Sequence, residues 1–374
     1  MLPIKSQRFT ALDVFRGMTV CFMIIVNTPG DGSKTFSPLL HAQWHGFTPT
    51  DLVFPSFLFA VGNAMAFVMI KWKNWSNAAV AKKILKRTLI IFLLGYLMYW
   101  FPFVKWEDGH LVASPFADTR VFGVLQRIAL CYGLAGLIIW MLGDRATLAV
   151  SIILLLTYWA LLYLFIDTGD PLGMQTNIGH LLDKWLVGER HLYHGEGVAF
   201  DPEGLLSTLP AIVNVTGGYL AGQFILKEGL NHKMLSRLLL SGFLLLFIAY
   251  CWNFFLPVNK KLWTPSFVTL TVGLDLVILG SIIYLVDFLH YKSANYFFEV
   301  FGRNPLFIYL LSEILAILLW FFRVGDQPLY QWIYYNYFAF AGDYWGSLLF
   351  ALSFMMICWL VGYWLDKRKI YVRV

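Results

Sequence analysis

The stretch LLHAQWHGFTPTDLVFPSFLF, Leu39 to Phe59, places His41, His45 and Asp51 directly ahead of a run apolar enough for lipid. A neutral imidazole is the usual general base near neutral pH, and a carboxylate behind it fixes its tautomer. Asn27, in MIIVNTPGDG, closes the preceding apolar run. The two runs are sequence neighbours, so Asn27 is expected to face the histidine-bearing loop. There its amide can donate to a developing oxyanion. Base, orienting carboxylate and oxyanion donor thus fall within two connected segments. Each also has a plainer reading. A loop histidine is commonly a surface residue, Asp51 after Pro49-Thr50 can simply cap a helix, and Trp44 can sit at a membrane interface. Two histidines also raise zinc, but His191 and His194 would have to fold over to complete a ligand set.

Composition identifies the scaffold that must hold these groups. Of 374 residues, 59% are hydrophobic and 13% charged, against roughly 25% charged in a soluble domain. The fold class expected is an all-α polytopic membrane protein in a single domain, with the 15 Trp and 19 Tyr supplying interfacial belts. Cys21, Cys131, Cys251 and Cys358 lie in apolar stretches without Cys-x-x-Cys spacing, so neither disulfides nor a metal site is expected. Lys5 and Arg8 lead straight into a segment carrying Asp13 and Arg16, a poor core for a cleavable signal.

A span takes about 20 mostly apolar residues. Ten segments qualify: Thr10–Val26, Asp51–Ile70, Thr88–Phe103, Val121–Leu142, Leu148–Ile166, Leu205–Leu226, Leu238–Leu256, Pro265–Leu289, Asn304–Phe322 and Trp345–Leu365. Leu329–Phe340 is shorter, rich in Tyr and Trp, and reads as interfacial. With both termini cytoplasmic, eighteen of the 28 Lys and Arg fall on that side. They are Lys5, Arg8, Lys71, Lys73, Lys82, Lys83, Lys86, Arg87, Arg145, Lys227, Lys233, Arg237, Lys292, Arg303, Lys367, Arg368, Lys369 and Arg373. Every second loop is the basic one, as the positive-inside rule requires. The net charge of +6 is therefore sorted by membrane side and points to lipid, not nucleic acid. The opening stretch falls on the outer face. So does the longest connection, Asp167–Gly204, which holds His180, His191 and His194 and reads as a cover for a site or as a solvated connector.

Ionisable groups within spans face a cavity or a partner. Asp13 and Arg16 share a helix face and can pair locally, or Arg16 can meet an anionic ligand from the cytoplasm. Arg127, beside Gln126, lies well inside its span and needs a carboxylate, a phosphate or carbonyls, which suggests a cavity lining. Asp275 and Glu313 fall near mid-span, each neutral, paired with Arg127 or in contact with a ligand. In FGRNPLFIY, Asn304 and Pro305 read as N-cap and first helical residue. With Arg303 adjacent, that helix end is suited to phosphate.

The blocks LDVFRGMTV and HAQWHGFTPTDLVFPSFLFAVG resemble the heparan-α-glucosaminide N-acetyltransferase family and its bacterial relatives. So do VLQRIALCYG, FDPEGLLSTLPAIVNVTGGYLAG, NKKLWTPSFVTLTVGL and GRNPLFIYLLSE. The resemblance runs from Leu12 to about Glu313 and concerns the membrane portion of the animal enzymes. It implies transfer of an acetyl group from cytosolic acetyl-CoA to an amino sugar across the membrane. By that resemblance the active histidine falls on His41, the catalytic asparagine on Asn27 and the motif carboxylate on Asp51. His45 is a departure, because relatives more often carry Asn between that Trp and Gly.

The expectation from residues and resemblance together is an inner-membrane N-acetyltransferase acting on a glucosamine-type amine at the outer, periplasmic face. Acetyl-CoA would keep its nucleotide on the basic cytoplasmic face, with Arg16, Arg127, Arg303, Asn304 and Glu313 lining or bracing its route. His41 would act as general base or carry the acetyl group as an acyl-imidazole. The rival is a transporter of sugars or small anions, for which inverted repeats would speak; a membrane scaffold or sensor is a third. A homodimer is implied by the resemblance alone, since Gly218-x-x-x-Gly222 more often serves internal packing.

Overall fold

The computed structural model describes residues 9–165, 169–291 and 295–372. Lys5, Arg8, Lys292 and Arg373, counted above with the inner-face charges, lie outside the described residues, as do Ile166 and Asp167. Twelve α-helices follow in chain order: α1 Thr10–Asn27, α2 Pro49–Met69, α3 Asn77–Trp100, α4 Val124–Leu164, α5 Ile178–Val187, α6 Thr208–Glu228, α7 His232–Asn253, α8 Pro265–Ile283, α9 Asn295–Arg303, α10 Pro305–Phe321, α11 Leu329–Tyr337 and α12 Asp343–Lys367. Among the described residues sheet is confined to two small antiparallel hairpins, β1 Val104–Glu107 with β2 His110–Ala113, and β3 Arg323–Val324 with β4 Gln327–Pro328.

Among the described residues seven helices are long and apolar enough to cross a membrane, and eight if α9 and α10, bent by 82° at Asn304, count as one span. The ten segments expected from hydropathy exceed this count at two places. Two of them, Val121–Leu142 and Leu148–Ile166, meet in α4, which is interrupted at Gly143 (φ 73°, ψ 177°). A glycine accepts that positive φ without the Cβ clash other residues meet. The third expected segment begins at Thr88, whereas α3 starts at Asn77, capped by Ser76, and so carries Lys82, Lys83, Lys86 and Arg87 in its first half. Leu85, Leu89, Leu93 and Leu97 make an exposed apolar stripe along α3 at the spacing of one helix face. The short α9 was not expected as a separate element. The segment Leu329–Phe340, read as interfacial, forms α11 and a following turn.

At the centre α2 packs along α6, with α1, α4 and α8 around the pair. A Cβ on Gly62 of α2 would collide with the Val215 carbonyl, and one on Gly218 of α6 with the Phe59 carbonyl. These glycines let the two backbones touch. Gly222 likewise lies against Ala66 of α2, so the Gly218-x-x-x-Gly222 face is turned inward. The main apolar core runs through these helices. A second, smaller cluster of Tyr158, Leu162, Leu172, Phe200, Leu256 and Leu262 anchors the long connection between α4 and α6, with Trp44 packed on it.

Candidate active site

The site is built at the N-terminus of α2. Thr48 and Asp51 form a capping box in which Asp51 Oδ2 accepts from the Thr48 backbone amide at 2.9 Å, and Pro49 occupies the first helical position. The chain leading in is pinned to the same helix end. Thr48 Oγ1 donates to the Leu40 carbonyl (2.7 Å), and Thr50 Oγ1 to the Pro38 carbonyl (3.0 Å). His41 is thereby brought over Asp51, whose Oδ1 lies 2.7 Å from Nδ1 of the ring, while Oδ2 also accepts from the Ala42 amide at 3.1 Å. All these partners donate to a carboxylate that is fully buried. The arrangement fits an Nδ1–H imidazole with its Nε2 lone pair turned away from Asp51. The His41 side chain itself is 45% exposed, open to a substrate.

A third charged group joins from far along the chain. Lys260, in the connection between α7 and α8, holds its Nζ 3.0 Å from Nδ1 and 3.1 Å from Nε2 of His41, and 3.9 Å from Asp51 Oδ1. That connection is sewn to the histidine loop. Gly46 donates to the Val258 carbonyl (2.8 Å), the Asn259 amide to His45 Nδ1 (3.4 Å), and Lys261 to the Gln43 carbonyl (2.8 Å) and to Glu196 (2.5 Å). Burial pushes the Lys260 ammonium below the ordinary lysine range, helped by Lys261 and opposed by Asp51, Glu203 and Glu196. His45 thus has a structural place: it docks the α7–α8 connection and stacks edge-on against Trp44.

Beside this group lies a fixed-charge cluster. Arg120 donates to Asp201 (2.6 and 2.9 Å), to Glu203 (2.6 Å) and to the Tyr99 hydroxyl (3.2 Å), with its plane over Tyr193. Burial works to raise the Glu203 carboxyl, but Arg120, Arg127 and Lys260 outweigh it and hold it below the ordinary glutamate range. Asp183 of α5 accepts from the Leu205 amide at 2.8 Å, yet burial pushes its carboxyl up to about 7. His191 donates from Nδ1 to the Thr119 carbonyl (2.7 Å), fastening the connection to the chain ahead of α4. Among the described residues no three His, Cys, Asp or Glu side chains converge as a metal site would require.

The remaining expected residues are dispersed. Asn27 sits at the end of α1, as its position implied, but its amide donates to Glu313 Oε1 of α10 at 3.4 Å, beside a cavity of about 260 Å³ bordered by Gly30, Trp320 and Tyr330. Arg127 is fully buried and donates to the Gly204 carbonyl (2.8 Å) and to Ser207, with its guanidinium 4.9 Å from the centre of the Trp263 ring. Of the partners its burial called for, it finds a carbonyl, joined by a hydroxyl and a ring. Asp275 accepts from Ser56 at 2.5 Å and does not meet Arg127.

Arg16 pairs with Asp13 one turn away and also lines a cavity of about 100 Å³ with Arg87, Trp72, Tyr132 and Pro305. Arg303 is held by Asp366 and Glu299, each at 2.5 Å. Asn304 stands at the N-cap position, but its side chain makes no capping bond. It binds the Ile370 carbonyl (3.0 Å) and the Val372 amide (2.8 Å) instead, so this helix end is closed by the chain's own tail.

Lys260, Asn259 and Arg120 were not singled out from sequence. One signal was available: Lys260 and Lys261 form a basic pair in a loop that the charge count places on the outer face.

Helices of this length and hydrophobicity define a multi-pass membrane protein, with a His–Asp–Lys group at one helix mouth. Residues 8–178 match the family described as heparan-alpha-glucosaminide N-acetyltransferase, catalytic, and over that stretch the chain is similar to it. It is similar to heparan-alpha-glucosaminide N-acetyltransferase of Mus musculus, 27% identical over 377 residues, covering 83% of this chain and 54% of that protein. The Homo sapiens protein of the same name is 26% identical, with 84% and 54% covered. The chain spans about half the length of these curated relatives. The matched stretch 8–178 contains Arg16, Asn27, His41, Asp51 and Arg127, whereas Lys260, Arg303, Asn304 and Glu313 lie beyond it.

Proposed function

We propose that the chain is a single-domain membrane N-acetyltransferase that moves the acetyl group of cytosolic acetyl-CoA to the amine of a glucosamine-type sugar. Transfer takes place on the outer, periplasmic side of the inner membrane. The observation that carries the reading is the His41–Asp51 pair, 2.7 Å apart at the start of α2, inside the stretch similar to a catalytic family. Asp51 orients His41, and Nε2 accepts a proton from the attacking nitrogen as the new C–N bond forms. The C–S bond of the thioester breaks and CoA leaves as its thiol. Asn27 supplies an oxyanion donor through the amide hydrogen not directed at Glu313.

Ten spans with both termini cytoplasmic suit this chemistry. At 1.5 Å per residue, the 41 residues of α4 extend over about 60 Å, twice the roughly 30 Å apolar thickness of a bilayer. Gly143 divides it into two crossings, and the leucine stripe of α3 supplies the tenth. The cavity bordered by Arg16 and Arg87 is the inner entry for the donor. Arg16, Arg127, Arg303, Asn304 and Glu313 brace the helices around that route, Arg303 and Asn304 through the chain's own carboxylates and tail. A homodimer fits the family likeness, with a seam other than the Gly218 face.

The test uses purified protein with acetyl-CoA and glucosamine, following free thiol. Release that depends on the amine and is lost in His41→Ala supports the reading. Release unchanged in that variant removes His41 from the chemistry. No release with any amino sugar, together with uptake of sugar into proteoliposomes, turns the reading to transport.

A further inference from the structure

Asp51 alone would make His41 a poor base. A carboxylate hydrogen-bonded to Nδ1 favours the imidazolium, which has no lone pair to accept a proton. The structure supplies an opposing charge. Nζ of Lys260 is 3.0 and 3.1 Å from the two ring nitrogens and 3.9 Å from the Asp51 carboxylate, with its side chain only 15% exposed. Nζ is about equally far from both ring nitrogens, so it stands over the face of the ring and leaves the in-plane Nε2 lone pair free. The histidine loop and the α7–α8 connection are joined by three further hydrogen bonds, Gly46 to Val258, Asn259 to His45 and Lys261 to Gln43, so the ammonium is held there by the fold.

We propose that Lys260 is a positioning residue for acyl transfer: its ammonium offsets Asp51, holds His41 as the neutral Nδ1–H imidazole, and keeps Nε2 aimed at the amine that must lose a proton. The proposal rests on the acyltransferase reading for its purpose and on the ring contacts for its geometry. The charged groups that face Lys260 are Asp51 from α2, Glu203 from the segment ahead of α6, Glu196 from the connection after α5, and its neighbour Lys261. Burial and Lys261 lower its hold on the proton, and the three carboxylates act against that loss. No bond to Lys260 forms or breaks.

The test compares wild type with Lys260→Met, Lys260→Gln and Lys260→Arg, each verified as monodisperse in detergent. The first arm is the pH dependence of amine-dependent thiol release. Removing a cation beside the ring favours the imidazolium, so the acid limb in the Met and Gln variants moves to higher pH. Release at pH 7 falls about tenfold, a loss that higher pH partly restores, while Arg keeps the wild-type limb.

The second arm needs no substrate. Diethyl pyrocarbonate acylates only neutral imidazole, and mass spectrometry of the peptide containing His41 follows it against pH. The midpoint moves upward in Met and Gln, and stays in place in Arg. An unmoved or lowered midpoint in both uncharged variants overturns the proposal, and Lys260 is then a structural contact. A raised midpoint without thiol release from wild type leaves the Lys260–His41 coupling standing and removes the acyltransferase reading. Should the Met variant fail to fold, Gln, which keeps an amide donor, carries both arms.

Discussion

One carboxylate serves both Thr48 and His41. Asp51 closes the helix cap through Oδ2 and holds the imidazole through Oδ1 at 2.7 Å. The local stability of α2 and the orientation of the proposed base therefore share a residue, and substitutions there separate the two. Asp51→Asn retains an oxygen for the cap but loses the charge behind His41. Thiol release is expected to fall roughly a hundred- to ten-thousandfold, while the thermal unfolding midpoint in detergent moves little. Asp51→Ala removes both, and adds a cap loss of about 1 kcal/mol. Equal unfolding midpoints for the two variants would contradict the shared role.

Contact between α2 and α6 depends on the absence of side chains at Gly62 and Gly218. A methyl at either meets a backbone carbonyl, which cannot rotate away as a flexible side chain can. Gly218→Ala is expected to destabilise by about 1–3 kcal/mol, the usual penalty of overpacking. Gly32→Ala, where an added Cβ has nothing within 4 Å, should stay within about 0.5 kcal/mol of wild type. Thermal unfolding of the detergent-solubilised protein measures both.

The connection between α4 and α6 is expected to loosen as pH rises toward neutrality. Burial raises the Asp183 carboxyl from 3.8 to about 7, so between these values the folded state holds a proton that the unfolded state has released. Stability from this group is complete below pH 3.8, declines through that window and is flat above about 7. Limited proteolysis between α5 and α6 should become faster from pH 5 to 7 in wild type. Asp183→Asn, which cannot ionise, should lose that dependence and resist cleavage better at pH 8. A slope identical in both proteins would assign the effect to another group.

Much of the site's local half was legible in the sequence. Thr48, Pro49 and Asp51 spell a helix start, and His41 lies ten residues from Asp51, close enough for one loop to join them. Asp13 and Arg16 pair as helical spacing requires. The apolar segments mark nearly every long helix because hydropathy sums residue by residue. Their edges shifted where polar residues were recruited, as in α3, whose lysine-bearing first half is helical although too charged for a hydropathy window.

Partners at long range were not legible. Arg127 meets the Gly204 carbonyl, the Ser207 hydroxyl and the Trp263 ring, partners from distant segments that its own span did not name. Arg303 and Asn304 looked available to phosphate, but Asp366 and the tail at Ile370, 63 and 66 residues away, take them up. Lys260 reaches His41 across 219 residues. By itself the sequence determined a helical membrane chain and the pairings made within a loop or a turn, since these depend on local composition and spacing. Only the tertiary structure decided which distant charges meet. That outcome depends on how closely packed helices, such as α2 and α6 at their glycines, bring their connecting loops together, and on which buried donor and acceptor then have no water to turn to.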